Sequence, residues 1–103
     1  MELTRQQNRS LDALKNQLLD LESKMSNMKE MMDLSTELND LDKWKECDSI
    51  YETLNKKHVE LVSHQSQSWG LDSYLMLDLI FDREHTLNLI KELNLDINIK
   101  TLN

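Results

Sequence analysis

The chain has no proline, one glycine and one cysteine in 103 residues. Proline and glycine break helices and build tight turns, so their near absence excludes a sandwich or barrel, which turns tightly many times. A lone Cys47 rules out an internal disulfide and a cysteine-rich zinc site, and a reducing compartment is the simpler fit. No apolar run approaches a membrane span: the longest, Tyr74 to Phe81, is interrupted by Asp78. The opening residues, MELTRQQNRS, lack the apolar core of a signal peptide. Nor is any stretch strongly basic. Residues 1–69 carry 13 acids and 9 bases, residues 70–103 carry 6 acids and 3 bases, and the formal charge is −7. The attraction that holds proteins to phosphates is missing, which argues against direct nucleic-acid binding and against an anionic membrane surface. The expected setting is cytoplasmic.

What the chain does contain is periodicity. Apolar residues make up 39% of it, which argues against disorder, and several of the commonest residues are good helix formers. Leu11, Leu14, Leu18, Leu21, Met25, Met28 and Met32 are spaced alternately three and four apart. That is a heptad seam, an apolar ridge along one side of a helix that another helix must cover. A second short seam, Met31, Leu34, Leu38 and Leu41, is displaced from it by one residue. A third follows at Trp44, Cys47, Tyr51, Leu54, His58 and Leu61. The register changes mark either an overwound place in one long helix or a turn, and we place a turn at Asp33–Thr36, where Asp, Ser and Thr can cap a new helix. Ser49 and Glu52 also have capping-box spacing, although Asp48 cannot supply the usual hydrophobic staple. A firmer boundary is Ser68-Trp69-Gly70-Leu71-Asp72-Ser73, with Gly70 suited to a left-handed helix end and Asp72 or Ser73 to the next cap.

The expected fold is all-α in a single domain over residues 1–103: an antiparallel hairpin of helices over about 4–33 and 36–67, with a third helix over about 73–94 packed on it as a three-helix bundle. The alternative is one helix spanning most of 4–67 that dimerises as a coiled coil. Asp78, Asp82 and His85 share a stripe that should face solvent. The tail, 95–103, alternates apolar and polar residues in a strand-like way and has no partner strand in the chain.

Candidate chemistry is sparse. Glu60 with His64, or Asp78 and Asp82 with His85, share helix faces. However, the repeated Glu-x-x-His pairs that build di-metal bundles are missing. Cys47 with His58 or His64 has no glycine-rich loop to supply an oxyanion hole, and a free cysteine in an apolar seam is ordinary packing. Gly70 alone cannot cradle a phosphate. Met25, Met28, Met31 and Met32 fit core packing or an adaptable contact surface better than a Cu(I) site. We therefore expect no enzyme, cofactor or metal.

The expected function is a protein–protein interaction module, an adaptor, assembly factor or accessory subunit, acting through helix–helix contacts with a partner or a second copy. Its contact stripe is expected at Leu11, Leu14, Leu18, Leu21, Met25 and Met28, with Tyr74, Leu75, Leu79 and Phe81 second and Trp69 as a loop-borne anchor. The alternative is a small acidic inhibitor that occludes a basic nucleic-acid-binding or enzyme surface through Glu30, Asp33, Glu37, Asp40 and Asp42. The ordinary explanation of that acidic row is a solvated helix face.

Overall fold

The computed structural model describes residues 2–93, so the strand-like tail lies outside the described residues. The chain is all-helical over that range, with no strand among the described residues: α1 spans Arg5–Glu37, α2 Leu41–Trp69, α3 Ser73–Phe81 and α4 Arg83–Glu92. A single helix across 4–67 is not formed, because the chain leaves the helical path between α1 and α2.

The ends of the helices explain themselves chemically. At the start of α1, Gln7 N–H donates to Thr4 Oγ1 (3.1 Å) and Thr4 N–H donates to Gln7 Oε1 (2.8 Å). This reciprocal capping box satisfies two otherwise orphaned donors. Both α1 and α2 end in the same way. Asp40 N–H donates to Ser35 O and Asn39 N–H to Thr36 O, while Leu71 N–H donates to Ser66 O and Gly70 N–H to Gln67 O. These are two Schellman motifs, each with its C′ residue left-handed: Asn39 at φ 56° and Gly70 at φ 66°. Asn is the residue other than glycine that most readily takes this conformation. Asp40 then caps α2 by accepting from Lys43 N–H (3.1 Å), so one residue ends a helix and the next begins another.

The turn therefore lies at Leu38–Asp40 and not at Asp33–Thr36. Ser35 Oγ donates to Met31 O (2.7 Å) and Thr36 Oγ1 to Met32 O (3.0 Å), so both hydroxyls bond back into α1 where a cap would have bonded forward. Ser49 is likewise inside α2, where its carbonyl accepts from Thr53 Oγ1. At the third boundary Asp72 is the cap, accepting from Leu75 N–H at 2.8 Å. The helix expected over 73–94 is divided at Asp82, whose backbone (φ −139°, ψ 63°) is not helical. Asp78, Asp82 and His85 are exposed.

The chain forms two compact units. One joins the residues up to Asn16 to those from Leu61 onward. Its core is Leu11, Leu14, Val62, Trp69, Met76, Leu79, Ile80 and Ile90. Two buried hydroxyls there are satisfied locally, Ser66 Oγ by Ser63 O and Thr86 Oγ1 by Asp82 O. Arg83 ties α4 to α1: Nη1 donates to Asn8 Oδ1 (3.0 Å) and Nη2 to Asp12 Oδ1 (2.6 Å). The other unit is Gln17–Glu60. Within it His58 Nε2 lies 3.1 Å from Glu22 Oε1 and Lys29 Nζ sits 5.5 Å from the Tyr51 ring centre. Leu18, Leu21, Ser35 and Cys47 are its buried residues.

A candidate interaction face at the α1–α2 turn

The residues expected to meet a partner divide by burial. Leu11, Leu14, Leu18 and Leu21 are buried within the chain, as are Leu79 and Trp69. A ridge already covered by its own chain presents no surface, so these six are core. Trp69 is the last residue of α2 and not a loop residue, and its Nε1 is buried with no hydrogen-bond partner among the described residues. Met25, Met28 and Leu75 are half-buried. Tyr74 and Phe81 are exposed, Tyr74 by 83%.

The first seam keeps its register further than its last methionine. Met32 is half-buried and Ser35, three residues on, is buried, so the buried side of α1 reaches the turn without a shift. The second seam is therefore a separate row of residues. Met31, Leu34, Leu38 and Leu41 are exposed by 38, 54, 69 and 62%. Scattered exposed leucines are common, but here Met31 and Leu34 on α1, Leu38 in the turn and Leu41 at the start of α2 put four exposed apolar residues around a single helix junction. The spacing of these residues is visible in the sequence, but they are not among the residues expected to meet a partner. The available signal was that one helix carried two apolar rows, only one of which could face its neighbour.

Three of the acidic residues, Glu30, Asp33 and Glu37, lie beside Met31 and Leu34 on α1. Glu30, Asp33, Glu37 and Asp42 are exposed and make no ion pair among the described residues. Asp40 is also exposed, but its carboxylate is committed to the α2 cap. The turn separates it from the row on α1, so Glu30, Asp33, Glu37 and Asp40 do not form one continuous helical stripe. At 3.6 residues per turn, Glu30, Asp33 and Glu37 lie about 100° around α1 from Met31, Leu34 and Leu38, on the side away from the buried seam. Between the helix ends is a groove of about 350 Å³ lined by Ser35, Thr36, Asn39, Asp40, Leu41 and Trp44. A second groove, about 280 Å³, lies between Glu22, Met25, Ser26, Lys29 and Tyr51.

The other chemical candidates are dispersed. Among the described residues no group of three or more His, Cys, Asp and Glu side chains could hold a metal ion. Cys47 is free and buried, His58 faces Glu22, and His64 is exposed. Among the described residues no helix is long and apolar enough to cross a membrane. Compared with protein-family models, curated proteins and solved structures, the chain matches none.

Proposed function

We propose that the chain is a non-enzymatic interaction module, an adaptor, assembly factor or accessory subunit, that binds another protein through the stripe at the α1–α2 turn. The observation that carries this reading is the exposure of Met31, Leu34, Leu38 and Leu41 at seam spacing, while the longer leucine seam is consumed by the chain's own core. Exposed contiguous apolar surface costs free energy in water and is commonly kept where a partner covers it. Tyr74 and Phe81 form a second, smaller exposed apolar set on α3. The reading includes a hairpin of α1 and α2 with the following helical segment packed on it. The Glu22–His58 pair and the Arg83–Asp12 pair support this arrangement. The buried free thiol of Cys47 fits a cytoplasmic setting.

The direct test is affinity capture from cells that express the protein, using the wild-type chain beside a Leu34→Glu/Leu38→Glu variant. A stoichiometric partner, or a second copy, should be held by the wild type and lost from the variant. Equal capture by both would remove the stripe from the reading. A second reading, an acidic inhibitor of a basic nucleic-acid-binding or enzyme surface, is favoured by the exposed carboxylates of Glu30, Asp33, Glu37 and Asp42, which make no ion pair among the described residues. In that case charge alone would carry the affinity, and reversing those four residues would abolish binding while Leu34→Glu/Leu38→Glu left it intact.

A further inference from the structure

We infer that the partner element is a cationic amphipathic helix, laid along Met31, Leu34, Leu38 and Leu41 with its Lys or Arg flank against Glu30, Asp33, Glu37 and Asp42. This inference rests on the interaction reading above and names what the stripe binds.

Three observations select that occupant. The first is spacing. Met31 to Leu38 is seven residues, about 10 Å along the helix axis, and matches the i, i+3 or i+4, i+7 anchors by which a helix seats itself on an apolar row. The second is a place for an anchor side chain: the groove lined by Ser35, Thr36, Asn39, Asp40, Leu41 and Trp44 shares Leu41 with the row. The third is charge. Residues 30–46 contain six acids and two bases, a net of −4, which is more than half of the chain's −7. One of the two bases, Lys43, lies 3.8 Å from Glu46. Four exposed carboxylates without ion pairs among the described residues flank an apolar row that little positive charge offsets.

That field discriminates between occupants. A second copy seated on the same stripe would set −4 against −4 across a narrow interface, and like charges directly opposed are penalised. A nucleic acid is excluded by sign. A neutral apolar helix would gain nothing from the carboxylates and would partly bury them without partners. A helix with an apolar face and a basic flank satisfies both parts of the surface.

The test uses the full chain and three labelled synthetic peptides titrated by fluorescence anisotropy: a helical peptide with a leucine face and lysine flanks, the same peptide with glutamate flanks, and a lysine peptide of equal charge with no apolar face. The first should bind at least about tenfold more tightly than either control, and raising the salt well above physiological strength should weaken it about tenfold. Leu34→Glu/Leu38→Glu should abolish its binding. Asp33→Lys/Glu37→Lys should lower its affinity about tenfold and raise that of the glutamate-flanked peptide. All four substitutions are at exposed positions, and an unchanged helical circular-dichroism spectrum checks the fold. Equal binding of the lysine- and glutamate-flanked peptides overturns the inference, as does equal binding of the faceless lysine peptide. If the chain instead dimerises through Leu34 and Leu38 and takes up no peptide, the cationic helix is wrong and the interaction reading stands. If no peptide binds and no assembly depends on those leucines, both fall.

Discussion

Leu18 and Leu34 lie on the same helix and belong to neighbouring apolar rows, yet their burial is opposite, and truncating each to alanine tests the proposed division into core and contact face. Leu18 is 0% exposed, and Leu34 is 54% exposed. Removing a fully buried leucine loses the transfer free energy of its side chain and leaves a cavity, so Leu18→Ala should cost about 2–5 kcal/mol. Full burial of a leucine is worth roughly 1.5–3 kcal/mol, so Leu34, less than half covered, has at most about 1 kcal/mol to lose, and the better helix propensity of alanine offsets part of that. For a chain of this length each kcal/mol moves the melting temperature by roughly 5 °C. Thermal unfolding followed by far-UV circular dichroism should then show a drop of roughly 10–25 °C for Leu18→Ala and of less than about 5 °C for Leu34→Ala. Binding should show the reverse ranking, with Leu34→Ala weakening partner capture at nearly unchanged stability. Equal melting shifts for the two variants would refute the division of the leucines into core and contact face. So would a Leu18→Ala variant as stable as the wild type.

Other substitutions test how the helix ends are held. Asn39→Gly should leave stability within about 0.5 kcal/mol, while Asn39→Val, which forces a β-branched residue to positive φ, should cost about 1–2 kcal/mol in urea unfolding. Asp72→Ala removes the side-chain acceptor for Leu75 N–H and should cost about 1 kcal/mol in the same assay, with Asp72→Asn largely restoring it. Arg83→Ala removes the donors to Asn8 and Asp12; since Asp12 is mostly exposed and screened by solvent, the expected loss is about 1–2 kcal/mol, and hydrogen exchange should quicken in α4 more than in residues 17–60.

Much of the architecture could be read from spacing and end residues. The leucines at 11, 14, 18 and 21 announce a helix with one buried side, and they are buried. Gly70 followed by Asp72 announces a helix end and a new cap, and the backbone makes both. The misread turn came from residue types with two uses. A serine or threonine hydroxyl caps a helix by accepting from a backbone N–H ahead of it, or remains within a helix by donating to the carbonyl four residues back. Ser35 and Thr36 do the second. Composition does not distinguish the two, whereas Asn39 with Asp40, an αL-tolerant residue followed by a capping residue, carried the correct signal. The break at Asp82 had no comparable signal, because Tyr74–Phe81 and the residues after Asp82 both read as helix.

Sequence alone determined that the chain is helical and which residues are greasy. Local propensity and a seven-residue repeat are properties of neighbours along the chain, and they operate before any tertiary contact forms. It could not decide which greasy residues stay wet. Met31 and Met32 are adjacent and chemically identical, and they differ by about 100° around α1. Met31 is exposed and Met32 is half-buried, because Met32 shares the side of α1 that carries the buried Ser35. Burial is a relation between segments distant in the sequence, so the exposure of Met31, Leu34, Leu38 and Leu41, on which the proposed contact face rests, became visible only in the tertiary structure.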